Sequence, residues 1–196
     1  WTELFNELAA EFAPVAATKG FFFLTRPLPL TVYTDPLFVK RILTNLITNA
    51  IRYSQKPGSK IVLAARRLRN GRITIGVYDQ GPGISSEERH RIFDAFYRGE
   101  ASKTAETGYG LGLSIVSGLA KRLGIPITVG SRLGRGSVFR LEFANVKNAH
   151  AEHAGDGLPL TTDLDMRGVV GVLEDNDIVR NAVSAIIRSW GATVVA

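Results

Sequence analysis

I-T-I-G-V-Y-D-Q-G-P-G-I, residues 73–84, reads as a hydrophobic strand that delivers one carboxylate, Asp79, directly into a turn with Gly81 and Gly83. A polar interval follows with F-D-A-F-Y-R-G (93–99) inside it, then G-Y-G-L-G-L-S-I-V (108–116). In that last stretch Gly108, Gly110 and Gly112 open a predicted helix. Glycine reaches backbone conformations closed to other residues and lets a ligand approach the main chain closely. Amides left free at a helix N-terminus are ready partners for phosphate oxygens. An acid beside a glycine-lined cradle suits the two ends of a nucleotide.

The second informative element lies upstream. Thr34 or Asp35 caps a predicted helix over 36–54, with Pro36 in its first turn. Phe38, Val39, Ile42, Leu43, Leu46 and Ala50 give it a wide apolar face. Arg41, Asn45, Asn49 and Arg52 run along one border of that face. Two asparagines four apart at the edge of a buried face can bond to a neighbouring loop. They can also offer an amide oxygen to a hard cation such as Mg²⁺, which prefers oxygen ligands and keeps several waters.

The rest of the chain alternates helical and extended patterns. Residues 1–19 recur helically through Leu4, Phe5, Leu8, Phe12 and Val15, with an expected interruption at Pro14. Phe21–Leu24 and Leu30–Tyr33 read as strands on either side of Pro27 and Pro29. Strands are expected at 60–69 and 72–79 around an Asn70-Gly71 hairpin signal. Ser85 or Ser86 can cap a short helix. A helix at 111–123 ends near Gly124, and strands at 125–130 and 137–143 flank the turn S-R-L-G-R-G. The interval 98–107 has no apolar content and is expected to form a flap. Residues 145–166 are polar and small, as in a linker. After them a strand at 168–173 runs into Glu174, Asp175 and Asp177, followed by a helix at 178–190 and a strand from Ala192.

Composition bounds the function classes. The 196 residues suffice for one domain and part of another, and 45% hydrophobic with 21% charged residues is a globular balance. No apolar run approaches the roughly 20 residues of a membrane helix. The absence of cysteine excludes disulfides and thiolate metal sites. The net charge of +6 permits nucleic-acid binding, but the arginines are scattered and do not form a stripe. Neither nucleic acid nor membrane is an expected contact. A first residue of Trp1 points to a piece of a longer polypeptide, expected to work in the cytoplasm while its parent can be membrane-anchored.

Four stretches together carry a resemblance. N-L-I-T-N-A-I-R-Y-S (45–54), D-Q-G-P-G-I (79–84), F-D-A-F-Y-R-G (93–99) and G-Y-G-L-G-L-S-I-V (108–116) resemble the N, first glycine, F and second glycine boxes of sensor histidine kinases, in the family order. G-R-G-S-V-F-R-L-E-F (134–143) resembles the last strands of the same catalytic and ATP-binding domain, and the match covers about residues 1–144. The resemblance implies a two-layer α/β sandwich of the Bergerat type, a mixed sheet under helices, with ATP and Mg²⁺ as ligands. It implies that Asp79 accepts a hydrogen bond from the adenine amino group, while Gly81 and Gly83 give the base room. Asn49 would ligate Mg²⁺ with Asn45 beside it, Arg52 would approach phosphate, and Tyr53 would lie against the nucleotide. Gly108, Gly110, Leu111 and Gly112 would wrap the triphosphate with main-chain amides, and Ile84 and Ser137 complete the implied set. Phe93 and Phe96 would anchor the near end of the flap or simply pack in the core. Lys103 would reach the γ-phosphate or stay solvated.

One position separates kinds of ATP enzyme. In the related Hsp90, gyrase and MutL families a glutamate one turn before the metal-binding asparagine activates water. Asn45 holds that place here, and an amide is no general base near neutral pH. Transfer to an external nucleophile then fits better than hydrolysis, with positioning and charge neutralisation as the main catalytic terms. In a histidine kinase the nucleophile is an imidazole on a separate dimerisation domain. None of His90, His150 and His153 sits where the family keeps its acceptor, so the chain is expected to bind ATP without phosphorylating itself. An ATP-driven clamp and a docking module without nucleotide are the alternatives.

The C-terminal V-V-G-V-L-E-D-N-D-I-V-R (169–180) resembles the start of a response-regulator receiver domain. The resemblance makes Glu174 and Asp175 its Mg²⁺-holding acidic pair, at the end of the first strand of a doubly wound sheet. The expected organisation is thus a catalytic domain at 1–144, a linker at 145–166 and a truncated β-α-β receiver piece at 167–196. Phosphate would pass from a histidine to a receiver aspartate, both lying outside the chain.

Overall fold

The computed structural model describes residues 1–29, 32–99, 109–144, 169–171 and 193–195. The chain divides into two compact units, Trp1–Glu152 and His153–Ala196. In the first, the order is α1 (Thr2–Thr18), β1 (Phe22–Arg26), α2 (Pro36–Tyr53), β2 (Lys60–Arg67), β3 (Ile73–Tyr78), α3 (Gly112–Arg122), β4 (Ile127–Arg132) and β5 (Gly136–Phe143). The five strands form one mixed sheet in the order β1-β2-β3-β5-β4, in which β1 and β2 are parallel and every other pair is antiparallel. The expected mixed sheet under helices is present.

Register explains where the core sits. Leu63, Val77, Phe139 and Val129 stand opposite one another across four strands, as do Ala65, Ile75, Leu141 and Ile127. Alternate residues point to one face of a strand, so these two rows share the face that α1 and α2 cover. Ile42, Leu46 and Ile47 of α2 and Phe5 and Leu8 of α1 are at most 1% exposed on it. Each such side chain contributes roughly 1.5–3 kcal/mol by leaving water. The Asp35 carboxylate caps α2 by accepting the Leu37 and Phe38 amides at 2.8 and 3.2 Å.

Several local expectations are corrected. α1 runs unbroken through Pro14. The proline sits on the exposed side of the helix, and the carbonyl it leaves unpaired belongs to exposed Ala10, where water can reach it. Ala16, not Val15, takes the fourth buried place of that face. Val32 and Tyr33 belong to no strand, and Tyr33 is exposed, since the chain there is already turning into the α2 cap. In place of the short helix expected after Ser85, the chain makes a 3₁₀ turn at Glu88–His90. Ser85 Oγ does accept the Glu88 amide at 3.2 Å, but Ile92 and Phe93 leave helical geometry to pack against the core.

In the second unit, β6 (Val169–Gly171) and β7 (Thr193–Val195) pair in parallel. The predicted linker, the helix at 178–190, Lys103, Gly108, Glu174, Asp175, His150 and His153 all lie outside the described residues.

Candidate nucleotide site

β3 is the central strand, and Asp79 follows directly on its last residue. The Asp79 amide donates to the Ser137 carbonyl at 2.9 Å, which continues the β3–β5 ladder by one step. Its Oδ1 accepts two amides, Gly81 at 2.9 Å and Ser137 at 3.1 Å. Burial pushes the Asp79 carboxyl above its ordinary pKa, and these two donors pull it back in part. Oδ2 is left for a ligand. A carboxylate held by main-chain amides at the bottom of a cleft is a fixed acceptor.

The loop beyond Asp79 is pressed against the β4–β5 hairpin. Gly83 has φ +78°, and a Cβ there would fall 2.7 Å from the carbonyl carbon of Arg132. Gly81 lies against the Tyr53 carbonyl oxygen, at the end of α2. The Gly134 amide closes the hairpin onto the loop by donating to the Pro82 carbonyl at 2.7 Å.

Two connected chambers open on this framework. The first encloses about 720 Å³, some of it open to solvent, and has Asp79, Gly83, Ile84, Ser137 and Phe139 in its lining. The second, of about 940 Å³, is lined among others by Asn45, Arg52, Gly110, Leu111 and Gly112. Asn49, Tyr53, Ile92, Tyr97, Arg98 and Leu113 border both. The first is the more apolar of the two, with Asp79 and Glu88 as its acids, and its apolar lining suits a base. The second has amides, arginines and a helix N-terminus. α3 begins at Gly112, whose missing side chain faces Asn45 Oδ1 and the Asn49 amide. Gly110 has φ +70°, and a Cβ on it would stand 2.7 Å from the carbonyl carbon of Phe96.

Of the candidate residues, Asn45, Asn49, Arg52, Tyr53, Asp79, Gly83, Ile84, Gly110, Leu111, Gly112 and Ser137 therefore line one continuous cleft, and Gly81 shapes its floor. Phe93 lies behind it, edge-on to Phe139 with ring centroids 6.5 Å apart. Phe96 differs: the residue is 72% exposed, at φ +64°, and its amide rather than its ring ties the F stretch to Gly110, donating to the Gly110 carbonyl at 3.0 Å. Ala50, Pro82, Ile92, Tyr97, Leu113 and Phe139 also line the first chamber and were not singled out by sequence. Apolar residues of this kind are indistinguishable from core until the fold shows which of them face the cleft.

The Asn49 amide has no hydrogen-bond partner among the described residues and faces both chambers. Those residues include no group of three or more His, Cys, Asp or Glu arranged to hold a metal ion. A lone amide oxygen suits Mg²⁺ that brings phosphate oxygens and water as its other ligands.

A family pattern described as "Histidine kinase-, DNA gyrase B-, and HSP90-like ATPase" matches residues 34–147, more than half of the chain and every strand and helix of this cleft. The chain belongs to this family. Within it, the similar proteins are sensor histidine kinases, and the domain is their ATP-binding catalytic module. Sensor histidine kinase YkoH of Bacillus subtilis is 38% identical over 59% of this chain and 25% of its own length. Sensor histidine kinase GacS of Pseudomonas protegens is 30% identical over 98% of this chain and 21% of its own. Full-length ShkA, solved in complex with AMPPNP, superposes with a TM-score of 0.62 at 31% identity, over 99% of this chain and 39% of that one. The catalytic domain of ThkA, nucleotide-free, gives 0.59 at 27% over 74% and 92%. The chain spans about a quarter of the length of the curated relatives it matches. No helix among the described residues is long and apolar enough to cross a membrane.

Proposed function

We propose that this histidine-kinase ATPase domain holds Mg-ATP for phosphoryl transfer to a histidine on a dimerisation domain outside the chain. The observation that carries the reading is the continuous cleft running from the amide-held Asp79 to the N-terminus of α3. Adenine would enter the first chamber and donate its amino group to Asp79. Arg52 and the amides at the start of α3 would receive the phosphates, Tyr53 would lie beside the nucleotide, and Gly108 and Lys103 would join from the flap. Asn49 would hold Mg²⁺, which supplies charge neutralisation at the phosphates. Asn45, whose Nδ2 donates to the Arg41 carbonyl at 2.9 Å, offers no base for activating water. This disfavours the ATP-driven clamp reading and favours an external acceptor.

The same proposal includes a receiver piece at the C-terminus, so that the parent is a hybrid kinase passing phosphate onward, with Glu174 and Asp175 as a second Mg²⁺ site. Its support is the parallel pairing of β6 with β7 and the reach of the GacS and ShkA similarities over nearly the whole chain. The domain division at 144 and 167 and a cytoplasmic working place, where ATP is at hand, belong to this reading too.

Calorimetric titration with AMPPNP tests it, with and without Mg²⁺ and beside Asp79→Asn. Binding that tightens with Mg²⁺ and is lost in the variant is expected. No binding by folded wild-type protein refutes the kinase reading and leaves a docking module.

A further inference from the structure

Behind the Asp79 loop lies a hydroxyl relay that nucleotide binding as described so far leaves without a role. Ser131 on β4 stands opposite Ser137 on β5, on the helix-covered side of the sheet. Ser131 Oγ accepts the Ile84 amide at 2.8 Å. It lies 3.0 Å from the Gly136 carbonyl oxygen and 3.0 Å from Ser137 Oγ. The Ser131 carbonyl is itself fixed, accepting the Arg89 guanidinium at 2.6 Å.

A serine hydroxyl has one proton and two lone pairs. A carbonyl oxygen only accepts, so the Gly136 contact takes the Ser131 proton. The Ile84 amide occupies one Ser131 lone pair. The bond between the two hydroxyls then runs from Ser137 to Ser131, and all three capacities of Ser131 are filled. Ser137 has its proton drawn into the relay and keeps only lone pairs for the chamber it lines beside Asp79. Since Asp79 also presents only a lone-pair oxygen there, this end of the chamber accepts and does not donate.

We infer that Ser131 is a positioning residue for base selection. By orienting the Ser137 hydroxyl, it favours a purine with a 6-amino group and disfavours a 6-oxo purine, whose oxygen would meet lone pairs. The inference rests on the nucleotide reading above and names what that site discriminates.

Ser131→Ala frees the Ser137 hydroxyl to turn and donate to a 6-oxo group. Titrations of the whole chain with AMPPNP and with its guanine counterpart GMPPNP test this in wild type, Ser131→Ala, Ser137→Ala and the double variant. Wild type is expected to prefer the adenine analogue. Ser131→Ala should hold AMPPNP within about threefold while the adenine-to-guanine ratio narrows about tenfold, the worth of one hydrogen bond. The double variant should match Ser137→Ala, because a residue acting through another has no effect once that other is gone. Ser131→Thr, which keeps the hydroxyl, should restore the wild-type ratio. An equal loss for both nucleotides in Ser131→Ala, with the ratio unchanged, means simple support of the loop and overturns the inference. If that variant does not fold, an unchanged ratio in Ser137→Ala overturns it. Wild type that binds AMPPNP without base preference refutes this inference alone. Wild type that binds neither analogue refutes the nucleotide reading, and this one with it.

Discussion

Replacing Asp79 by asparagine should make the empty protein sturdier at neutral pH and nearly blind to ATP. The asparagine oxygen can keep the Gly81 and Ser137 amides that Oδ1 accepts, so the loop retains its shape. What changes is the other atom, where an NH₂ donor replaces the free carboxylate oxygen. In the wild type, burial raises the carboxyl pKa from its ordinary 3.8 against the pull of the two amides. The folded state thus holds the proton more tightly than the unfolded chain. Asp79's contribution to stability is fully present below about pH 3.8 and is lost as pH rises through its folded-state pKa. Asparagine has no such loss, so the stability difference should move in the variant's favour between pH 4 and 7. Binding goes the other way. A hydrogen bond to a charged acceptor contributes about 1.5–3 kcal/mol, or roughly 10- to 150-fold in Kd. With AMPPNP at a hundred times the wild-type Kd, the wild type gains about 2.7 kcal/mol. A variant binding a hundredfold more weakly gains only about 0.4 kcal/mol at that concentration. For a unit of this size these are melting-point rises of about 5–11 °C and about 1–2 °C. Thermal denaturation at pH 4 and pH 7, with and without nucleotide, reads both effects. A variant that loses stability relative to wild type on going from pH 4 to 7, or that keeps the full nucleotide shift, refutes the reasoning.

Other expectations follow from the same framework. Gly83→Ala places a Cβ against the Arg132 backbone at φ +78°, a conformation that alone costs about 1–2 kcal/mol. Urea unfolding should show at least that loss, and an unchanged midpoint would mean that the hairpin does not press on the loop. Leu46→Ala, at a position 1% exposed, should lower the unfolding free energy by about 2–5 kcal/mol. Asn49→Ala should bind AMPPNP without Mg²⁺ nearly as wild type does and should lose the strengthening that Mg²⁺ brings. If calorimetry shows that strengthening intact, Asn49 is not the ligand.

Legibility in the sequence followed the physics of each signal. α2 was readable because its cap, its proline at the first turn and its 3.6-residue apolar period agree. The β2–β3 hairpin was readable from Asn70-Gly71, where Gly71 adopts φ +81° and Asn70 Oδ1 accepts the Arg72 amide at 3.0 Å. Asp79 and the glycines stood out as candidates because a turn that must approach a ligand leaves few residue choices. Pro14 misled because its effect depends on which side of the helix it faces, which tertiary packing decides. Val32 and Tyr33 misled because apolar alternation predicts a strand only if a neighbouring strand is at hand. Ser131 was unreadable, since its role exists only once antiparallel register sets residue 131 opposite residue 137. Tyr97, Leu113 and Phe139 became site residues in the same way, by folding.

The strand order β1-β2-β3-β5-β4 bears on the chain's synthesis. β3 gains its second neighbour only from β5, the last of the five sheet strands to leave the ribosome. Until residue 143 has emerged, Asp79 lacks the Ser137 amide, and the Gly83 loop lacks a completed hairpin to rest on. A nascent chain halted at α3 would already have Asn49, Arg52 and the glycines, yet no formed pocket for a base. Competence to hold nucleotide should therefore arrive late and in one step during translation, when the final hairpin docks.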